Sequence, residues 1–286
     1  MIITEYEAGV RDNVRKARQD GKKIVLIPTM GALHEGHLSM VRLAAPAGED
    51  RDKVYIIMSI FVNPRQFGAN EDFTAYPRDL RRDAELARQE EIDLLFVPSA
   101  EEMYPLGDQT TVQVPELAAD LCGAARPGHF TGVATVVTKL LNIAQPDEAF
   151  FGQKDYQQFI ILSRMTADLK LPVKLRLAPI ARDPSGLALS SRNAYLTLEE
   201  KKDAAKIYAA LRAAAELIGR GERDAGVIEE FLRGAIESGT RGKVDYAVVR
   251  RKNDLLPVTV ITKSVALLTA VFVGRTRLID NIIVEV

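Results

Sequence analysis

Short, nearly all-apolar runs occur at 24–27, 54–60, 94–97 and 149–151, each separated from the next by a longer amphipathic stretch. A strand that is apolar on both faces cannot lie on a surface. It is stable only where helices cover the sheet above and below, as in parallel sheets. The amphipathic stretches at 35–45, 79–90, 131–142 and 156–169 supply such helices. Alternation of this kind predicts an α/β fold, a Rossmann-like doubly wound parallel sheet. After residue 178 the texture changes. Helical stretches at 198–218 and 225–236, broken at 219–221, precede strand-like segments at 243–250, 265–272 and 277–286. Two domains are expected: 1–178, and a smaller C-terminal α+β domain over 179–286.

Bulk chemistry removes several classes of function. With 286 residues, 47% hydrophobic and 27% charged, there is apolar material for sizeable cores. A net charge of −1 leaves no bulk electrostatic footprint for nucleic acid. Cys122 is the single cysteine, so an intrachain disulfide and a four-cysteine metal site are both ruled out, and a small buried position is expected for it. No apolar run approaches the roughly 20 residues that span a bilayer. Residues 1–20 are charged and lack an apolar signal region. A cytoplasmic protein without membrane or nucleic-acid partners is expected.

The run at 24–27 leads directly into PTMGALHEGH, Pro28 to His37. A strand–loop–helix junction with Gly31 and Gly36 presents unpaired backbone N–H groups and the positive end of a helix dipole, which suits a phosphate. His34 and His37, three apart, project toward one side of the helix start. There two imidazoles can donate to charge that builds during phosphoryl or nucleotidyl transfer. Ordinary polar residues at a helix start are one competing explanation. A zinc site from His34, His37 and His129, the chain's three histidines, is another, but the His34–His37 spacing differs from the four-residue helical zinc pattern.

Three further segments carry polar groups at the ends of strands or in loops. Asn63 and Gln66 follow the second strand, where open α/β sheets bind ligands; the alternative is an Asn-Pro turn with a surface glutamine. In FGQKDYQQ (151–158), Gly152 permits close approach, Lys154 supplies a mobile positive charge, and Asp155 either caps a helix or holds a ribose hydroxyl. The segment 182–193 contains Ser190, Ser191 and Arg192, a composition that fits a phosphate clamp or an interdomain loop.

The tetrapeptide His34 to His37 resembles the HIGH motif of the nucleotidyl-transferring α/β superfamily, which includes class I aminoacyl-tRNA synthetases and small-molecule adenylyltransferases. The longer string from Pro28 resembles the pantothenate synthetases closely. The segments at 59–67, 126–130, 151–158 and 182–193 resemble those of the same family in the same order. This resemblance implies ATP contacts from Met30, Gly31, Ala32, Leu33, His34, Glu35, Gly36 and His37. It also implies them from Gly152, Gln153, Lys154 and Asp155, and from Ala181, Leu189, Ser190, Ser191 and Arg192, where 189–192 stands for the synthetase KMSKS loop. Gln66 and Gln158 are implied as pantoate ligands with Asn63 nearby, and His37, His34 and Lys154 as the catalytic groups. Arg126 and His129 match the family's RPGHF segment and shape the site or a lid. The chain departs from the family pattern at Thr131, often charged in the family and given no role here, at Gln153, where some members carry Glu, and at Ala181, often a larger aliphatic. The implied reaction condenses pantoate with β-alanine through a pantoyl adenylate at the expense of ATP. Mg²⁺ would ride on the phosphates with no resident metal, and the implied assembly is a homodimer. The rivals are an adenylyltransferase that stops at a nucleotide product and a non-catalytic nucleotide sensor.

Overall fold

Residues Ile24, Val25, Leu26 and Ile27 are all essentially inaccessible to solvent. Successive side chains of a strand point to opposite faces, so burial of four in a row means that both faces of the sheet are covered. The computed structural model describes residues 1–45, 51–69 and 71–286. It divides the chain into two compact units, Met1–Gly152 with Ile161–Ala178, and Gln153–Ile160 with Pro179–Val286.

The first unit runs β1 (Ile2–Thr4), α1 (Glu7–Gln19), β2 (Lys23–Thr29), α2 (Glu35–Ala44), β3 (Val54–Ile60), α3 (Leu80–Gln89) and β4 (Leu94–Phe96). Three single-turn helices follow, α4 (Ala100–Met103), α5 (Pro115–Ala118) and α6 (Cys122–Ala125), with Cys122 buried as expected. Then come α7 (His129–Ala144), β5 (Glu148–Gly152), α8 (Tyr156–Asp168), whose first turns group with the second unit, and β6 (Lys174–Ala178). The six strands are parallel in the order β1-β4-β3-β2-β5-β6. Helices α1 and α7 pack on each other and on β2, while α2 packs on β2, β5 and β6. This is the expected doubly wound sheet, extended by β1 at one edge. The strand order reverses between β2 and β5, the point at which open α/β sheets leave a crevice at the strands' carboxyl ends.

Besides the three single-turn helices, α1, β1 and β6 were not anticipated. In α1, Val10, Val14 and Ala17 form the buried stripe of a helix that is otherwise polar. The edge strand β1 has three residues, with Ile2 and Ile3 exposed. The other edge strand, β6, alternates basic and aliphatic residues because it bonds to β5 alone.

In the second unit, α9 (Leu198–Gly219) begins with a capping box: Thr197 Oγ1 accepts from the Glu200 N–H at 3.2 Å, and Glu200 Oε2 accepts from the Thr197 N–H at 2.8 Å. Asp224 caps α10 (Ala225–Gly239) through the Gly226 N–H at 2.8 Å. Both helices cover a three-stranded antiparallel sheet in the order β7 (Lys243–Arg251), β8 (Val265–Val273), β9 (Thr276–Val284). The middle strand is buried along nearly its whole length, as the α+β expectation requires. Among the described residues no helix is long and apolar enough to cross a membrane.

Candidate active site

The segment after β2 is clamped at several points. Thr29 Oγ1 donates to the Ser59 carbonyl at 2.7 Å and accepts from the Gly31 N–H at 3.1 Å. Gly31 sits at φ +79°, and a Cβ there would lie 2.9 Å from Asp83 Oδ2 and 3.0 Å from the Ile60 side chain, so only glycine fits. The Ala32 and Leu33 N–H groups each donate to one oxygen of Asp83 at 2.8 Å. Leu33 itself is buried in the core. Asp83, on α3, is 1% exposed.

Burial, the largest influence on Asp83, raises its pKa against the pull of those two donors. A folded-state pKa above the unfolded value means stability present at low pH and lost as pH rises through it. Asp83→Asn removes that loss but turns an amide NH₂ toward one of the two loop N–H groups. Between about pH 4, the ordinary aspartate range, and neutrality, the difference in Tm should therefore move in the variant's favour, while kcat/KM for ATP falls. Thermal unfolding at both pH values, alongside kinetics, checks both directions.

His34 is the N-cap of α2, with extended backbone. Its Nδ1 accepts from the Gly36 N–H at 3.1 Å, and His37 Nδ1 accepts from the His34 N–H at 3.3 Å. Two imidazoles thus build the reciprocal cap usually made by Ser or Thr with Glu. Their ring centroids are 4.1 Å apart. Since each Nδ1 is an acceptor, each neutral ring carries its proton on Nε2. The sequence predicts unpaired backbone donors at this junction, and the structure corrects that. The N–H groups of Gly31, Ala32, Leu33, His34 and Gly36 are all engaged, and those of His37 and Leu38 bond to the His34 carbonyl. A carboxylate about fifty residues away and the two rings take the donors up, so the groups suited to address an anion are imidazole Nε2–H and the helix dipole. The Glu35 carboxylate is bonded to Arg42.

Met30, Asn63 and Gln66 are brought together. Asn63 Nδ2 donates to Gln66 Oε1 and to the Gly132 carbonyl, each at 3.1 Å, and Gln66 Nε2 donates to Met30 Sδ at 2.9 Å. Asn63 Oδ1 accepts from the Arg65 N–H at 3.2 Å and from the Tyr104 hydroxyl at 2.8 Å. The Arg65 guanidinium lies 3.9 Å over the Tyr104 ring, and burial pushes the Tyr104 pKa up to about 12, so the hydroxyl remains a donor. Arg126 donates to His129 Nε2 at 2.9 Å, which leaves His129 Nδ1–H to donate to the Gln66 carbonyl at 2.8 Å. Arg126 also forks onto Glu71. Arg126 and His129 thus hold the backbone of Gln66, and both ring nitrogens of His129 are occupied by these bonds. Among the described residues no group of three His, Cys, Asp or Glu could hold a metal ion. Sequence reasoning missed Asp83, Tyr104 and Gly132.

In the second unit, Gln153 and Lys154 lie in a single 3₁₀ turn ahead of α8, with Lys154 Nζ 3.8 Å from Asp155 Oδ1 and Gln158 half-buried on the helix's first turn. A Cβ on Gly152, just before them, would meet nothing within 4 Å, so no packing among the described residues requires glycine there. Ala181 and Leu189 pair across a short hairpin, the Leu189 N–H donating to the Ala181 carbonyl at 2.9 Å. Ser190 Oγ then accepts from the Arg192 N–H at 3.3 Å and caps the turn Ser191–Tyr195.

A doubly wound parallel sheet whose switch-point strand leads into a histidine-capped helix defines a nucleotide-binding α/β enzyme with a HIGH-type motif. The family model described as pantoate-β-alanine ligase matches residues 2–283. The chain belongs to that family, as its motifs imply. It is 50% identical over 286 residues to the pantothenate synthetase of Moorella thermoacetica, covering 100% of this chain and 99% of that protein. The pantothenate synthetase of Thermus thermophilus matches its fold at a TM-score of 0.91 and 40% identity, over 99% of each chain. The pantoate-β-alanine ligase of Francisella tularensis, solved in complex with β-γ ATP and β-alanine, matches at a TM-score of 0.79 and 35% identity, over 99% of this chain and 97% of that one.

Proposed function

We propose that this chain condenses pantoate with β-alanine in two steps. The pantoate carboxylate attacks the α-phosphorus of ATP and pyrophosphate leaves. The β-alanine amine then attacks the carbonyl of pantoyl adenylate, giving pantothenate and AMP. The observation that carries this reading is the double-histidine cap, which points the chemistry of His34 and His37 to their Nε2–H groups. Such donors stabilise charge that develops on phosphate oxygens. Lys154 neutralises the same charge, and Ser190, Ser191 and Arg192 contact the triphosphate. The main-chain contribution of Met30 to Gly36 is smaller than the motif suggests, because most of those N–H groups already have partners.

Gln66 and Gln158 bind pantoate. A thioether is a weak acceptor, so a pantoate oxygen readily replaces Met30 Sδ on Gln66 Nε2, while Asn63 keeps the amide from turning over. Mg²⁺ arrives with ATP, since it prefers substrate phosphates and water to an all-protein cage. Water must be kept from the mixed anhydride until the amine attacks. The binding of β-γ ATP and β-alanine by the Francisella relative supports these substrates. A cytoplasmic homodimer completes the proposal.

Pyrophosphate release should require both ATP and pantoate, and AMP should appear only once β-alanine is added. A stable nucleotide product without AMP would favour an adenylyltransferase, and binding without turnover a sensor.

A further inference from the structure

We propose that Asp280 and Asn281, adjacent on β9, are positioning residues that set the two second-unit segments assigned above to the triphosphate; this rests on the adenylation step proposed there. Neighbouring residues of a strand address opposite faces, so one dipeptide reaches both segments. Asn281 is 2% exposed. Its Nδ2 donates to the Gln153 carbonyl at 2.9 Å and the Lys154 carbonyl at 3.1 Å, and its Oδ1 accepts from Gln153 Nε2 at 3.1 Å. Two carbonyl acceptors fix which end of the amide is nitrogen, and all three of these bonds go to one turn. Asp280, also buried, accepts the Arg182 guanidinium on both oxygens at 2.6 and 2.8 Å. Arg182 lies 3.6 Å over the Tyr208 ring and donates to the Gly186 carbonyl at 3.1 Å. It belongs to the hairpin that ends at Ser190, closed by the Arg182–Ala188 bridge.

The pairing of β9 with β8 does not require either side chain. β9 is held to β8 by its backbone ladder, with Asp280 opposite Thr269 and Asn281 opposite Leu268. Buried strand positions favour β-branched and aromatic residues, yet two polar groups stand here; apart from the Asn281 N–H, which donates to Asp280 Oδ1 at 2.8 Å, their side-chain partners lie in the loops. A lysine on a flexible four-carbon stem delivers its charge accurately only if its backbone is fixed. Misplacement of about 1 Å can cost on the order of 10²-fold in rate.

Asn281→Ala should slow adenylate formation about 10- to 100-fold in single-turnover pyrophosphate release and raise KM for ATP. Attack of β-alanine on supplied pantoyl adenylate should change far less. Should Asn281→Ala fail to fold, Arg182→Lys tests the same device, because it keeps the charge and loses the fork onto Asp280. Equal losses in both half-reactions, or adenylate formation within twofold of wild type in a folded variant, would overturn the positioning role. A wild-type enzyme that releases no pyrophosphate with pantoate would overturn the reaction itself, whereas wild-type turnover with an unsplit variant overturns only the inference.

Discussion

His37→Ala should slow adenylate formation by about 10²- to 10³-fold, the usual loss when one preorganised donor to developing charge is removed. The ring has two duties: Nδ1 caps α2 by accepting from the His34 N–H, and Nε2–H addresses phosphate. Two further variants separate them. An asparagine amide oxygen reaches roughly where Nδ1 lies, so His37→Asn keeps the cap and loses the distal donor. A glutamine amide reaches toward the Nε2 position, so His37→Gln keeps a donor and loses the cap. The expected order of single-turnover rates is wild type, then Gln, then Asn close to Ala. Recovery in Asn but not in Gln would assign His37 to helix capping alone. Lys154→Ala, which removes charge rather than a cap, should fall as far as His37→Ala without any change in helix stability.

Gly132→Ala should displace the turn that carries Gln66, because a methyl group there meets backbone at less than contact distance. Gly132 lies on α7 where it meets the turn Pro64–Gln66. A Cβ there would stand 2.7 Å from Gln66 Cα, 2.5 Å from the Arg65 carbonyl carbon, and closer still to the Arg65 carbonyl oxygen. Those neighbours are backbone, so the turn itself must move. Alanine brings roughly 1 kcal/mol in helix propensity. Overpacking against backbone costs about 3 kcal/mol, the upper part of the usual range. Net loss should lower Tm by several degrees. Because Asn63 Nδ2 bonds to the Gly132 carbonyl and to Gln66 Oε1, displacement of the turn also misaims Gln66, and KM for pantoate should rise at least tenfold while KM for ATP moves less. A normal KM for pantoate in a destabilised variant would detach Gly132 from the substrate pocket.

The central strands were legible because burial on both faces leaves a mark that needs no partner to interpret: residues 54–60 are almost continuously apolar, and β3 occupies those same positions. The edge strands were not. β6 reads Lys-Leu-Arg-Leu-Ala, an alternation suited to a strand bonded on one side, and β1 is too short to carry a period. The stripe in α1 was legible in principle, since Val10, Val14 and Ala17 follow helical spacing. The site divides in the same way. His34, His37, Gln66 and Lys154 sit in contiguous strings, whereas Asp83 and Tyr104 act on residues 41 to 51 positions away. Asp83 had one local clue. It shares the buried side of α3 with Ala84 and Ala87, an odd place for a carboxylate unless something there needs an acceptor.

The grouping of Gln153–Ile160 with Pro179–Val286 has a consequence for recombination between relatives. A chimera joined at residue 178 would import a C-terminal half whose Asn281 and whose Lys252 carbonyl, bonded to the Tyr156 hydroxyl at 2.9 Å, would meet the other parent's turn and helix start. Exchange that respects the packing needs three junctions, near 152, 160 and 178. Hybrids with a single crossover near residue 178 should therefore survive only where the parents agree over residues 153–160.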